Sequence, residues 1–172
     1  TILQELQFVS MEDFVASQGQ PLASLAKGEL WRAITPIFIH LDFIHLAFNM
    51  VMFFQFGRLL ESLRGTVWFA VAVLVIAIIS NVAQAVAPEA LGGSHAFGGM
   101  SGVVYGLFGY AWIKSMFDPQ AGFRLSQVTV IILMAWLVLC MTPAVGNIAN
   151  VAHVVGLVVG AAFAYLPILW RL

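Results

Sequence analysis

The segment GGMSGVVYGLFGY, residues 98–110, contains a side chain whose chemistry its apolar surroundings do not require. Ser101 stands between two glycines, Gly99 and Gly102, at the start of the apolar run. Its hydroxyl could cap a helix, fill a small packing position or act as a nucleophile. A nucleophile would require a general base and hydrogen-bond donors for an oxyanion elsewhere in the chain. His153, His45 and Asn49 are the candidates for those roles.

The composition is that of an integral membrane protein. Of the 172 residues, 62% are hydrophobic and only 9% are charged, whereas soluble domains are about 45–50% apolar and about 25% charged. The net charge of −1 gives no indication of a nucleic-acid partner. The single cysteine, Cys140, lies in an apolar run and is interpreted as a small buried residue, so no disulfide framework is expected.

Five segments are apolar over about 20 residues, the length that a helix needs to cross a bilayer. They cover residues 35–60, 66–87, 97–117, 125–141 and 148–170. Their continuous apolar runs differ from the alternating pattern of barrel strands. The predicted fold class is therefore an all-α polytopic membrane protein, a helical bundle with five visible spans.

The first thirty residues differ from the rest of the chain. Residues 1–30 are half polar and are predicted to form an extramembrane or interfacial segment, and the membrane domain is predicted to cover 31–172. The chain does not begin with methionine, so we expect residue 1 to be a fragment boundary.

The basic residues are divided unequally between the two ends of the predicted spans. Lys27 and Arg32 precede the first span. The five that fall at the other side are Arg58, Arg64, Lys114, Arg124 and Arg171. Because positive residues favour the cytoplasmic side, we expect the N-terminal segment to lie outside a cell membrane. The loops at 88–96 and 142–146 would then face outward.

Ser101 and His153 occupy matching positions on two parallel spans. Each lies near the outer end of its span, so the two side chains are predicted to lie at a similar depth. Small residues recur every four positions on both spans, at Gly98, Gly102 and Gly106 and at Ala152, Gly156, Gly160 and Ala164. Such stripes allow helix backbones to approach closely. If the stripes pair, Ser101 and His153 come within hydrogen-bond distance.

A second polar cluster lies in the first span. His45 and Asn49 are four residues apart and share one helix face. Two donors at membrane depth suit the stabilisation of an oxyanion. A metal held by His40, His45 and His153 is the alternative use of these histidines. No HExxH motif is present and His40 and His45 lie on different faces, so neither a metal nor another cofactor is expected.

Together these residues resemble the rhomboid family of intramembrane serine proteases, and the bacterial branch in particular. The motifs that carry the resemblance are Trp31–Arg32, His45-xxx-Asn49, Gly57-xxx-Glu61-xxx-Gly65, Gly99-Met-Ser101-Gly102 and Ala152-His153-xxx-Gly156. They occur in the family's order, between residues 29 and 165. The family's core has six spans, so the resemblance implies that a first span is missing ahead of Trp31.

The resemblance implies a role for each matching residue. Ser101 would be the nucleophile and His153 the general base of a dyad, and Tyr105 would pack against the His153 imidazole. His45, Asn49 and the backbone N–H of Ser101 would form the oxyanion hole. The glycines that support this site would be Gly99, Gly102 and Gly156. Trp31, Arg32 and Glu61 would be structural.

The resemblance also implies an activity and a location. The protein would be an endopeptidase that cleaves single-span membrane proteins near the outer face of a bacterial inner membrane, with the lipid bilayer as its solvent. Two other functions compete with this hypothesis. A rhomboid-like protein could bind membrane clients without cutting them, although such proteins typically lack the serine or histidine. A transporter or channel would need polar residues in both halves of the membrane, whereas here they cluster in the outer half.

Overall fold

The computed structural model describes residues 2–142 and 148–169, and in these ranges all regular structure is helical. The α-helices are α1 (Ile2–Leu6), α2 (Met11–Ala16), α3 (Ala23–Ala26), α4 (Phe43–Arg64), α5 (Thr66–Val86), α6 (Ser101–Phe117), α7 (Gln127–Cys140) and α8 (Asn150–Leu169). Short 3-10 turns occur at Leu30–Ala33, Thr35–Phe38, Glu89–Leu91 and Pro119–Ala121. The all-α helical fold class is confirmed.

Each of the five predicted spans corresponds to one helix, α4 to α8. By length and composition, three helices in the described part of the chain can cross a membrane: Phe43–Arg64, Thr66–Val86 and Asn150–Ile168. The other two, α6 and α7, are shorter, with 17 and 14 residues. In α6 every residue from 102 to 111 is buried, so this helix is enclosed by its neighbours and needs little apolar surface for lipid.

The first and third spans begin later than predicted. Helix α4 starts at Phe43 because the side chain of Asp42 caps it, accepting the backbone N–H of His45 at 2.8 Å. Pro36 lies in the preceding 3-10 turn. Helix α6 starts at Ser101 because Gly99 has a φ of +129°, a conformation that only glycine adopts readily.

Helix α6 forms the centre of the bundle. It packs most extensively against α8 and also contacts α4 and α5. Its apolar side chains join a core that includes Phe56, Ile76, Leu107 and Phe108. Ser101, at the start of α6, therefore lies on the most completely enclosed helix of the bundle.

The N-terminal segment, residues 2–29, folds over the Ser101 end of the bundle. Arg32 is 3% exposed and donates to the backbone carbonyls of Gln4, Glu5 and Gln7, and it also pairs with the carboxylates of Glu5 and Glu29. The ring of Phe14 stacks on His95, with centroids 3.8 Å apart. The segment is thus attached to the loop that precedes α6.

A cluster of hydrogen bonds around Asp13 stabilises the interior of this segment. The carboxylate of Asp13 accepts hydrogen bonds from the Ser24 hydroxyl and the Lys27 ammonium, and the Ser10 hydroxyl accepts the Asp13 backbone N–H. The hydrogen bond from Lys27, followed by that from Ser24, lowers the pKa of Asp13 from 3.8 to about 2. The same contact raises the pKa of Lys27.

Candidate active site

Ser101 and His153 are in hydrogen-bond contact. The Ser101 Oγ lies 2.6 Å from the His153 Nε2. Ser101 is partly exposed at the first residue of α6, whereas His153, one turn into α8, is 4% exposed. The Nδ1 of His153 is buried and has no hydrogen-bond partner among the described residues. Within the described chain the two side chains therefore form a pair, without the carboxylate of a Ser–His–Asp triad.

Glycine-to-carbonyl contacts hold the two helices together below this pair. A β-carbon at Gly156 would lie 2.0 Å from the carbonyl oxygen of Gly102, and one at Gly160 would lie 1.8 Å from that of Gly106. No side chain fits at either position, so the backbones touch. The predicted pairing of the two small-residue stripes is confirmed at Gly102 and Gly106, whereas Gly98 precedes α6 and packs against Ile39.

Tyr105 lies one turn below Ser101 and contacts two other helices. Its ring packs against the His153 imidazole, with centroids 5.0 Å apart and planes at 37°. Its hydroxyl donates to the backbone carbonyl of Leu133 in α7 at 3.0 Å. The ring supports the imidazole, and the hydroxyl joins α6 to α7.

His45 reaches the same region from α4. A β-carbon at Gly99 would lie 2.9 Å from the His45 Nε2 and 3.6 Å from the Ser101 Oγ. The imidazole of His45 therefore rests against the α-carbon of Gly99, next to the serine hydroxyl. His40 stays close to it, with ring centroids 5.0 Å apart.

The Asn49 side chain forms a hydrogen bond within its own helix, α4. The residue is 2% exposed, and its Nδ2 donates to the backbone carbonyl of His45, one turn earlier in α4, at 2.9 Å. An amide nitrogen carries two hydrogens, so one remains for another acceptor. The structure thus brings Ser101, His153 and His45 together around Gly99, with Asn49 bonded to the backbone beneath His45.

The remaining predicted residues lie away from this cluster. Trp31 is 49% exposed, and Arg32 is buried in the N-terminal segment. Glu61, at the opposite end of α4, accepts a hydrogen bond from the Thr66 hydroxyl at 2.8 Å. In residues 2–142 and 148–169, no three His, Cys, Asp or Glu side chains come together as a metal-binding group.

Three buried polar residues of α5 that were not among the predicted site residues lie in the helix that packs beside α6 and α8. Ser80, Asn81 and Gln84 are each at most 3% exposed. Gln84 donates to the carbonyl of Gly92 at 2.8 Å and accepts the backbone N–H of Ala152, next to His153, at 3.1 Å. Polar residues at i, i+1 and i+4 in an apolar span were the available signal, because such side chains seek partners on neighbouring helices.

Comparison with known proteins identifies the family. A rhomboid domain matches residues 27–170. The chain is 35% identical over 150 residues to the rhomboid protease GlpG of Salmonella paratyphi A, of Salmonella choleraesuis and of Salmonella newport, which covers 87% of this chain and 52% of each relative. The chain therefore belongs to the rhomboid family and is an integral membrane protein, as its motifs predicted. It spans about half the length of the curated relatives it matches.

Proposed function

We propose that this chain is an intramembrane serine endopeptidase in which Ser101 is the nucleophile and His153 the general base. The observation that carries the proposal is the 2.6 Å contact between the Ser101 Oγ and the His153 Nε2. The relatives' name, rhomboid protease, supports the same reaction class. The closely packed glycines of α6 and α8 support it further, because they leave the pair little freedom to separate.

The proposed reaction begins with transfer of a proton from Ser101 to His153. For the Nε2 to accept that proton, the ring proton of the neutral imidazole must be on Nδ1. As the Oγ attacks the carbonyl carbon, the hydroxyl proton passes to Nε2. Collapse of the tetrahedral intermediate breaks the C–N bond, and the Nε2 proton passes to the leaving amine. Water then hydrolyses the acyl-enzyme, with Nε2 again acting as the base.

The oxyanion would form on the side of Ser101 that faces His45. The His45 imidazole rests against Gly99, beside the serine hydroxyl. The backbone N–H of Ser101, at the first residue of α6, has no acceptor within its own helix. These two groups supply donors where negative charge develops. Asn49 would contribute with the amide hydrogen that is not bonded to the His45 carbonyl.

The substrate class we propose is the transmembrane helix of a single-span membrane protein. Ser101 is partly exposed, and the bundle around it carries apolar surface suited to lipid. The distribution of Lys and Arg favours an orientation with the Ser101 end facing outward. The bacterial source of the relatives supports an inner membrane as the location. The N-terminal segment would then act as an extramembrane cover over that end.

The experiment that tests the proposal compares the wild-type chain with Ser101→Ala and His153→Asn in liposomes. One assay follows cleavage of a single-span model substrate, and the other follows covalent labelling by a fluorophosphonate. Ser115→Ala, at the opposite end of α6, is the matched control for loss of a serine on that helix. Cleavage and labelling are expected in the wild type and in Ser115→Ala, and both should disappear in the other two variants.

Two other outcomes have distinct meanings. Labelling that persists in Ser101→Ala would place the reactive group elsewhere and overturn the assignment. A folded wild-type chain that neither labels nor cleaves, but retains a membrane protein on pull-down, would favour the client-binding alternative.

A further inference from the structure

The buried amide of Asn81 is a polar group of α5 that the proposed reaction does not use. Asn81 is 3% exposed, in a helix composed mostly of apolar residues. Its Nδ2 donates to the carbonyl of Ala33 at 2.9 Å and lies 3.5 Å from that of Ile34. Both carbonyls belong to residues 33–39, the segment that joins the N-terminal region to α4. The amide therefore fixes this segment to the bundle from a helix 48 residues away in the chain.

The later part of the same segment contacts the loop before Ser101. The carbonyl of Pro36 accepts the backbone N–H of Gly99 at 3.0 Å. A β-carbon at Gly98 would lie 2.5 Å from the Cβ of Ile39, so the loop before Ser101 and residues 33–39 are in direct contact. Gly99 in turn supports the His45 imidazole and lies two residues before Ser101. The position of Gly99 thus depends on where residues 33–39 are held.

We propose that Asn81 is a positioning residue for the oxyanion side of the site. It acts through Ala33 and Pro36 on Gly99, and so on the spacing between His45 and Ser101, without touching the reacting atoms. This inference rests on the proposed function for its effect on catalysis. The mechanical link from Asn81 to Gly99 can be measured without catalysis.

The link is tested by hydrogen–deuterium exchange in Asn81→Leu and Asn81→Ala. Leucine keeps the branched shape in a somewhat larger side chain and alanine makes the side chain smaller, so agreement between them excludes an effect of size. Leu60→Ala, which removes a fully buried side chain in the last two turns of α4, far along the helix from its start next to residues 33–39, is the matched destabilising control. The Gly99 amide is expected to exchange about tenfold faster in both Asn81 variants than in the control, the effect of losing about one hydrogen bond.

The catalytic consequence is tested by steady-state cleavage and a double-mutant cycle. Asn81→Leu is expected to lower kcat about tenfold while KM stays within about twofold, because the lost interaction acts in the transition state. In a His45→Ala background the same substitution should lower kcat by less than about threefold, because the donor that Asn81 positions is already gone. Leu60→Ala should leave kcat per folded molecule unchanged.

Contrary results separate the inference from the function on which it rests. Unchanged exchange at Gly99 in both Asn81 variants would overturn the mechanical link. Equal kcat losses with and without His45 would show that Asn81 stabilises the bundle generally, and would overturn the positioning role. Faster exchange at Gly99 in both Asn81 variants, together with a wild-type chain that neither labels nor cleaves, would leave the link standing and refute the protease function instead.

Discussion

The carbonyl oxygen of Gly106 occupies the place that a side chain at position 160 would need. A β-carbon at Gly160 would lie 1.8 Å from that oxygen, far inside van der Waals contact with a backbone group. We therefore expect Gly160→Ala to push α8 away from α6. The free energy of unfolding should fall by about 1–3 kcal/mol or more, the typical effect of overpacking. Fluorophosphonate labelling of Ser101 should fall with it.

The control for Gly160→Ala is an alanine at another helical glycine. At Gly57 a β-carbon would meet only the edge of the Phe69 ring, at 3.1 Å. Alanine there favours the helix by up to about 1 kcal/mol over glycine, so thermal unfolding in detergent should show little change or a small gain. Equal losses in the two variants would contradict a specific contact between α6 and α8.

The two functions of Tyr105 can be separated by substitution. Tyr105→Phe keeps the ring against His153 and removes the hydroxyl bond to the Leu133 carbonyl. We expect labelling of Ser101 to persist. Backbone amides of α7 should exchange faster, because the loss of one hydrogen bond between membrane helices lowers stability by about 0.6 kcal/mol on average. Tyr105→Leu should also lose labelling, because the imidazole loses its support. Equal labelling in the two variants would contradict the role of the ring.

His45 and Asn49 should differ in their effect on rate. The His45 ring lies beside Gly99, whereas the Asn49 amide is already bonded to the His45 carbonyl. His45→Ala is expected to lower kcat by about 10²–10³, the usual effect of removing an oxyanion donor. Asn49→Ala should lower kcat less and the melting temperature more. Steady-state kinetics together with thermal unfolding measure both quantities, and a larger kcat loss for Asn49→Ala would reverse the assignment.

Acid should open the N-terminal segment through Asp13. Because its folded-state pKa, about 2, lies below the ordinary 3.8, the ionised carboxylate stabilises the segment above about pH 4, and this stability is lost as the pH falls towards 2. We expect pepsin cleavage near Phe14 to increase over that range in the wild type. Asp13→Asn should be cleaved readily at every pH tested, and Glu12→Gln should follow the wild type. Parallel profiles for all three would contradict the role of Asp13.

The helix pairing at the site was predictable because its determinants are local patterns. The recurrence of glycine and alanine on two spans identified α6 and α8 as partners. Because the two spans run in the same direction across the membrane, Ser101 and His153 were expected at the same end. Neither inference needs knowledge of a third element. The contact at 2.6 Å follows once the backbones meet at Gly102 and Gly156.

The supports around the pair were not predictable, because each depends on a neighbour distant in the chain. Asn81 donates a hydrogen bond to the carbonyl of Ala33, and Gln84 accepts one from the backbone N–H of Ala152, 68 residues later in the chain. The span predicted at 35–60 merged a 3-10 turn with α4, since apolar composition alone does not reveal the cap at Asp42. Hydropathy likewise could not distinguish α6, enclosed by protein, from helices that face lipid.

The separation of Ser101 and His153 along the chain also has a consequence for biosynthesis. The two residues are 52 positions apart and belong to different helices. At about 5–20 residues per second, the ribosome reaches His153 roughly 3 to 10 seconds after Ser101. During that interval a nascent chain would contain the proposed nucleophile without its proposed base. Hydrolytic competence would therefore arise only when α8 enters the bilayer and docks on α6, and a chain truncated before α8 would remain harmless to its neighbours at the translocon.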